Sequence, residues 1–315
     1  MALWAAVALT SLQAAPALAA SKVERPYDPP PGSRWTIDTA ITSDETTPAG
    51  PRSLAIKTHA EMTIEQRTAG GFRILYVNRG VTVEGNGQAL LATGAVLQVL
   101  DNVEIRATTD PSGKPLYVEN LDEVRAAMRG GMGTLTASAG RDPQTQAAIG
   151  RAVAGLIEAS DARMVPALTG ALTDLARAQN TGLEPGKYRH VFTEADNPLG
   201  GHALRCNALL HITDADPVAG RLTVVSTFSY DSISKMDFLR SIGQKFLAAV
   251  GAQAKAAEIE VIVQRMAVDL DGRAVFEVED GMTRKITETS VTSTHAMGRD
   301  MSRIESRVVT VTRAP

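Results

Sequence analysis

Four potential metal ligands lie close together in the sequence. They are His190, His202, Cys206 and His211. Nitrogen and sulfur ligands of this kind are typical of zinc sites. In a β-strand, however, His202 and Cys206 share one face while His211 lies on the other, and no Cys-x-x-Cys or His-Glu-x-x-His spacing occurs. We therefore predict no metal site and no cofactor.

A short segment around Ser138 is similar to the Gly-x-Ser-x-Gly elbow of serine hydrolases. Residues 136–140 lack the first glycine, and the glycine-rich residues 130–133 follow a predicted helix, whereas the elbow requires a preceding strand. The glycines also lack the Gly-Lys-Ser/Thr of a phosphate-binding loop. We assign no catalytic residue and predict that the protein is not an enzyme. The enzyme alternative requires distant groups such as His59 or His295 to be gathered with carboxylates by the fold.

Five acidic residues lie within or directly after a β-rich stretch, residues 261–278. We predict a hairpin here, with a tight Asp-Leu-Asp-Gly turn at residues 269–272 and a returning strand at residues 273–278. The carboxylates could bind calcium, but the EF-hand spacing is absent and such alternation is typical of a solvated face. The acidic residues are Asp269, Asp271, Glu277, Glu279 and Asp280.

An earlier stretch, residues 103–118, has a similar pattern. Its Asp-Pro-Ser-Gly turn ends at Gly113, which would correspond to Gly272. Two further glycines of the first half have counterparts before strands of the second half, and the pairs are Gly32 with Gly186 and Gly71 with Gly220. Hairpins use few turn residue types, so convergence is the alternative explanation. We predict that the chain is a duplication.

The hydrophobic pattern predicts an α+β fold, with two pseudo-repeated antiparallel β-sheet lobes, each a curved sheet or half-barrel, packed with long helices. Predicted strands cover residues 35–42, 54–67, 72–84, 282–295 and 301–313, with a loop at 43–51. Predicted helices cover residues 121–129, a segment capped by Asp142 with its apolar stripe at residues 149–157, a segment capped by Asp161, and 235–257. Residues 88–100 suit a helix or a buried strand, and we favour the helix.

Two apolar stripes on these helices are the candidate lining of a cavity for an apolar ligand. The same stripes would equally fill an ordinary core, because helix stripes usually pack on their own sheet, and the core interpretation is the favoured one. The candidate residues are Val165, Leu168, Leu172, Leu175, Leu239, Ile242 and Phe246.

The N-terminus has the features of a secretory signal peptide. An apolar run is followed by small residues, so we predict residues 1–19 as the signal and cleavage near Ala19. Four prolines then favour an extended linker at residues 20–33. A Pro-Gly turn near residue 185 divides the remainder into an N-terminal β-rich lobe, residues 34–180, and a C-terminal lobe, residues 181–315. The expected location is the periplasm or the extracellular space.

Composition restricts the expected partners. With 32 Lys and Arg against 35 Asp and Glu, the net charge of −3 gives no general attraction to nucleic acid. The 4% aromatic content disfavours base stacking and sugar platforms. A single cysteine, Cys206, excludes an intramolecular disulfide. We expect a lipid or another envelope protein as partner, and no integral membrane helix.

In its layout, an exported chain with long antiparallel strands curling around helices resembles the LolA, LolB and LppX group of periplasmic lipid or lipoprotein carriers. It is also similar to two-lobe exported bacterial proteins with a Pro-Gly-aromatic strand start in each lobe. The resemblance implies a non-enzymatic envelope protein that binds a hydrophobic ligand or an envelope component, and it supplies no site residues. The alternative is a structural or interaction module that uses exposed strand edges of the last meander.

Overall fold

The computed structural model describes residues 24–86, 97–138, 143–195, 204–249, 256–296 and 298–314. The predicted signal peptide, residues 1–19, lies outside these residues. So does most of the predicted helix at residues 88–100, of which residues 97–99 are helical.

Eleven strands form one continuous antiparallel sheet. Their order is β5-β4-β3-β2-β1-β11-β10-β9-β8-β7-β6, so the first and last strands of the chain are neighbours in the middle of the sheet. The strands are β1 (Arg34–Thr47), β2 (Gly50–Thr68), β3 (Gly71–Gly85), β4 (Glu104–Thr109), β5 (Pro115–Val118), β6 (Tyr188–Ala195), β7 (Leu204–Asp216), β8 (Arg221–Tyr230), β9 (Met266–Glu279), β10 (Met282–Ala296) and β11 (Arg299–Arg313).

Period-two alternation of apolar residues explains most of these strands. In β1, Trp35 and Ile37 are buried while Arg34 and Asp38 are exposed. The predicted meander of the first half is confirmed, because β1, β2 and β3 pair in sequence. The predicted loop at residues 43–51 is wrong except for residues 48–49, since β1 continues to Thr47, β2 begins at Gly50, and these residues pair with each other.

The predicted hairpin at residues 261–278 is wrong. Strand β9 runs without a turn through residues 269–272 and pairs with β8 on one side and β10 on the other. Every second residue of β9 is buried, which leaves Asp269 and Asp271 on the exposed face. Two full ladders of backbone hydrogen bonds therefore outweigh the local preference of Asp-Gly for a turn.

The proposed correspondence of Gly113 and Gly272 is also wrong. Gly113 lies in the turn between β4 and β5, at one edge of the sheet, whereas Gly272 lies inside the sheet and pairs with Phe228 and Ser290. The last meander has no free edge either, because β9 pairs with β8 and β11 pairs with β1. The edge strands are β5 and β6.

Two groups of helices cover one face of the sheet. The first is α1 (Leu121–Ser138), α2 (Pro143–Ile157) and α3 (Asp161–Ala176), and the second is α4 (Ser232–Ala249) and α5 (Ala256–Val263). Two predicted boundaries differ. Helix α1 continues through Gly130 and Gly131, and a Cβ atom at Gly131 would be in ordinary van der Waals contact with Val99. The predicted helix at 235–257 is the helix pair α4 and α5.

Each helix group encloses its own hydrophobic core. The larger core packs α1–α3 on strands from both ends of the chain, including Ile74, Phe276 and Val309. The smaller core packs α4 and α5 on β7, β8 and β9, around Leu239 and Val268. Along β7, β8 and β9, the buried residues of both cores are separated by even numbers of positions, so they lie on the same face of the sheet. The two helix groups therefore lie side by side on that face.

The proline-rich segment before β1 is packed against the sheet rather than forming a spacer. Glu24 and Tyr27 are buried, at 6% and 5% exposure. The Glu24 carboxylate accepts hydrogen bonds from the backbone N–H groups of Thr181 and Gly182, at 2.6 and 2.7 Å. Gly281 has a φ of +77°, and a Cβ there would lie 2.2 Å from the carbonyl oxygen of residue 26, so the segment requires glycine at that position.

Candidate ligand-binding cleft

A polar band crosses the covered face of the sheet between the two helix groups. The strand register places successive inward residues of β6 to β11 in rows across the sheet. One row contains Arg189, Leu210, Ser226, Ala274, Glu288 and Arg307. The next row contains Val191, Ala208, Phe228, Gly272, Ser290 and Glu305.

A cleft of about 340 Å³ lies over the β6–β8 end of these rows. Its floor is largely apolar, with Val191, Ala208 and Phe228 from one row and Leu210 from the other. Its opposite wall is the end of α3, where Arg177 is the C-cap residue. The cleft therefore lies between a helix terminus and the edge of the sheet.

The absence of a side chain at Gly272 allows the Phe228 ring to lie flat against the sheet. A Cβ atom at Gly272 would be 2.1 Å from a ring carbon of Phe228. A larger residue would force the ring to move, and the cavity beside it would change shape. Gly272 thus influences the cleft through the position of the Phe228 ring and does not form a turn.

Positive charge predominates around this cleft. Lys114, Arg177 and Arg189 line it, and no Asp or Glu does so within the described chain. The charge of the Arg177 guanidinium is balanced by two carboxylates, since its nitrogens lie 2.7 Å from an oxygen of Asp174 and 3.4 Å from an oxygen of Glu288. Among the described residues, no ion pair involves Lys114 or Arg189, both of which are exposed, and the Arg189 guanidinium donates a hydrogen bond to the carbonyl oxygen of Thr181. The mouth of the cleft is therefore cationic.

Ser226 is a polar residue in the floor with no hydrogen-bond partner. It is 1% exposed, and its hydroxyl oxygen finds no donor or acceptor in the described part of the chain. A buried hydroxyl without a partner is costly, because it has lost its hydrogen bonds to water. Ser226 lines the cleft, so a bound molecule could supply the missing partner.

A second, smaller cleft of about 150 Å³ continues the first and shares Arg177, Thr193 and Phe228 with it. Polar and charged side chains dominate its lining, including Arg303 and Glu305. This part of the band suits polar groups or water better than an apolar ligand.

An ionic network fixes the end of α3 to the centre of the sheet. Arg307 donates to Asp174 at 2.5 Å, and Arg177 lies 3.4 Å from Glu288. Burial raises the pKa of Glu288 above its usual range, against the opposing effect of Arg177. Burial lowers the pKa of Arg307, but the carboxylates of Asp174, Glu288 and Glu305 together outweigh burial, and the pKa is raised. Arg307 therefore remains charged, while Glu288 takes up a proton more readily than an exposed glutamate.

The predicted apolar stripes lie in the two cores and line none of the described clefts. Leu168, Leu172 and Leu175 are buried in the larger core, with Val165 packed against it. Leu239 is buried in the smaller core, and Ile242 packs on it. Phe246 belongs to α4, and its side chain is outside the described part. The fold keeps the two stripes apart.

The potential metal ligands are also dispersed. His190 is exposed on β6, Cys206 is fully buried, and His211 lies beside the ring of Tyr188. His202 lies outside the described residues. Within those residues, no three His, Cys, Asp or Glu side chains are close enough to hold a metal ion.

Ser138 is the last residue of α1, so the segment resembling a nucleophile elbow begins in a helix. Across the described ranges, none of the helices is both long and apolar enough to cross a lipid bilayer.

The residues that form the cleft were missed by sequence reasoning, although β8 carried a usable signal. Its inward residues are Leu222, Val224, Ser226, Phe228 and Tyr230, and serine interrupts an otherwise apolar series. Such an interruption marks a polar position on a buried face.

Comparisons with known proteins give no family. No family model matches the sequence, and no curated protein matches it. Among solved structures, lipovitellin, studied for its lipid–protein interactions, is 10% identical over 91% of this chain with a TM-score of 0.45. This chain spans about a quarter of lipovitellin's length, with 26% covered.

Two bacterial outer membrane proteins are similar at lower scores. A channel from Pseudomonas putida F1 is 7% identical over 93% of this chain and 98% of its own, with a TM-score of 0.20. OpdL from Pseudomonas aeruginosa is 8% identical over 90% of this chain and 99% of its own, with a TM-score of 0.21. None of these scores indicates a fold shared with this chain.

Proposed function

We propose that this chain is a non-enzymatic exported envelope protein that binds a hydrophobic ligand in the cleft between α3 and strands β6–β8. The observation that carries the proposal is the apolar floor formed by Val191, Ala208, Leu210 and Phe228. An apolar concave surface partly screened from water favours an apolar ligand, since binding removes that surface from solvent.

The size of the cleft agrees with a small ligand. Its volume of about 340 Å³ is at the lower end of the roughly 300–1,000 Å³ typical of ligand pockets. One acyl chain or a molecule of similar bulk suits this space better than a folded protein domain. The cleft also remains open on one side, so a ligand can enter without unfolding of the sheet.

The proposal includes export and a carrier role. The N-terminal sequence supports cleavage near Ala19 and a periplasmic or extracellular location. The carrier role is supported by the resemblance of the layout to the LolA, LolB and LppX group of carriers. We also propose that the chain consists of two pseudo-repeated lobes. In such a carrier, Leu168, Leu172, Leu175 and Leu239 would contact ligand only if a helix group separated from the sheet.

Ligand extraction tests the proposal directly. The mature protein, residues 20–315, is purified from its native envelope, extracted with organic solvent and analysed by mass spectrometry. We expect one class of apolar molecule in stoichiometric amount. Ala208→Trp fills the cleft from its floor, and we expect the extracted ligand to fall by on the order of tenfold, as for a loss of about 1.4 kcal/mol in binding. Ala208→Leu should give a smaller loss.

Ala40→Trp is the matched control, because Ala40 is exposed on the opposite face of β1. It should retain the ligand. A wild-type protein that is reproducibly empty, or equal ligand in both tryptophan variants with circular dichroism unchanged, would contradict the proposal.

A second candidate is a structural or protein-interaction module without a small ligand. The edge strands favour it, since Leu116 and Tyr117 on β5 and Tyr188 and Phe192 on β6 are more than half exposed. Exposed apolar edge strands are able to pair with a partner strand. Crosslinking in the intact envelope should then capture one stable partner at these edges, and consistent recovery of the uncrosslinked chain alone would count against this module.

A further inference from the structure

We infer that the ligand of the cleft is an anionic amphiphile, whose oxyanion head group binds among Arg177, Arg189, Lys114 and Ser226 and whose single apolar chain lies over Val191, Ala208 and Phe228. This inference rests on the proposed function. It adds the charge of the ligand, its orientation in the cleft and the number of its apolar chains.

The charge distribution supports an anionic head group. Three cationic side chains line the cleft, and the described chain contributes no carboxylate to it. Arg177 already has two carboxylate partners, but Lys114 and Arg189 have none among the described residues. A carboxylate or phosphate would form charge-assisted hydrogen bonds with these cations, which an uncharged ligand cannot do.

Ser226 provides an independent indication. Its hydroxyl is buried in the floor of the cleft and has no partner. A serine hydroxyl donates one hydrogen bond, and an oxyanion oxygen is a strong acceptor. Binding of an oxyanion here would satisfy a buried donor that the free protein leaves unsatisfied, so the ligand would remove a cost as well as form a contact.

The rows of the sheet orient the ligand. Ser226 and Arg189 lie in the same row, separated by Leu210 on the intervening strand. Adjacent strands are about 4.8 Å apart, so the two positions are on the order of 10 Å from each other, a span that the long Arg189 side chain can shorten. A head group above Leu210 is therefore within reach of both residues.

The adjacent row has a different character. Val191, Ala208 and Phe228 are consecutive in it and carry no polar side-chain atom. A chain attached to the head group would follow this row, on the side of the cleft toward α4. The volume of about 340 Å³ accommodates one chain and not several.

Calorimetric titration of the purified mature protein, delipidated beforehand, tests this orientation. The probes are dodecanoate, dodecyl phosphate and dodecanol, each kept below the concentration at which it aggregates. These three share one apolar chain and differ in the head group. We expect both anions to bind at one site per chain and on the order of tenfold more tightly than dodecanol, the effect of a charge-assisted hydrogen bond. The anion that binds with the higher affinity identifies the preferred head group as carboxylate or phosphate.

Two charge-removing variants and one control locate the head group. Arg189→Gln and Lys114→Gln should each weaken the anions several-fold while leaving the affinity for dodecanol unchanged. Arg129→Gln makes the same chemical change on the exposed surface of α1, away from the cleft, and should change nothing.

Ser226→Ala separates a binding role from a structural one. It should weaken anion binding several-fold, yet the urea midpoint of the ligand-free protein should stay the same or rise, because an unsatisfied buried hydroxyl is removed. A purely structural serine would lower the midpoint.

The outcomes distinguish the inference from the proposed function. If dodecanol binds as tightly as the anions, and Arg189→Gln and Ser226→Ala affect none of them, the cleft binds apolar molecules and the inference is overturned alone. If none of the three probes binds and extraction yields no lipid, both are overturned. Anion-selective binding that the variants weaken supports both.

Discussion

Glu288 on β10 pairs with Arg177 at the end of α3, so its protonation state affects the contact between the sheet and this helix. It is half-buried between Arg177 and the second, polar cleft. Because burial raises its pKa, the folded protein holds this proton to a higher pH than the unfolded chain does. Between the two pKa values the native state binds more protons, so the contribution of Glu288 to stability falls as pH rises through this range.

We therefore predict that Glu288→Gln, which keeps the shape but cannot ionise, alters the pH dependence of stability. Urea unfolding at a series of pH values should show wild type losing stability relative to Glu288→Gln as the pH rises from below the usual glutamate pKa through the raised one. If the difference in unfolding free energy between the two proteins is constant across the pH series, burial does not raise the pKa of Glu288.

At the level of single elements, alternation was the most reliable sequence signal. It located β2 and β3 within a few residues, while the Thr- and Val-rich composition located β10 and β11. Local turn chemistry was less reliable. The Asp-Pro-Ser-Gly turn at residues 110–113 forms at an edge, but the Asp-Leu-Asp-Gly sequence lies inside β9, where pairing on both sides decides the conformation.

For the N-terminal segment, composition predicted a spacer, whereas the structure packs the segment against the rest of the protein. Its proline content cannot reveal that Glu24 and Tyr27 find partners far along the chain. Tyr27 packs edge-on against Phe72 with ring centroids 5.1 Å apart, and its backbone N–H donates to Asn180 at 2.8 Å. The segment thereby joins the start of the sheet to the connection between α3 and β6.

We predict that Glu24→Ala destabilises the protein by about 1.5–3 kcal/mol, the usual contribution of hydrogen bonds to a charged group. The change leaves the N–H groups of Thr181 and Gly182 without their present acceptor. Chemical denaturation measures the effect. Glu84→Ala, at an exposed position of β3, is the matched control and should stay within about 0.5 kcal/mol of wild type. Equal, small effects of both substitutions would show that the segment is only loosely attached.

On the scale of the whole molecule, the cleft could not be read from the sequence because its residues come from distant parts of the chain. Lys114 follows the turn between β4 and β5, Arg177 caps α3, and Arg189 and Ser226 lie on β6 and β8. Each is an ordinary residue in its own segment. Only the strand order, which brings β6 to β8 beneath the end of α3, makes them neighbours.

The same strand order determines how the two halves of the chain depend on each other. Residues 35–46 of β1 pair with β11, so the ladder between the halves is as long as the ladders within them. The larger core also combines residues of both halves, such as Ile37 and Val124 with Val224 and Phe276. Separating residues 34–180 from residues 181–315 would expose this core and break the central ladder.

We therefore predict that both halves unfold in one transition. Trp35, buried near the start of β1, reports on the first half by fluorescence, and the buried thiol of Cys206 reports on the second half by its rate of labelling. In a urea titration the two midpoints should coincide, which is the test of two-state behaviour. Two separated midpoints would instead identify residues 34–180 and 181–315 as independent domains. The isolated fragment 34–180 should fail to give a cooperative transition, because β11 and about a third of the buried residues of the larger core are missing from it.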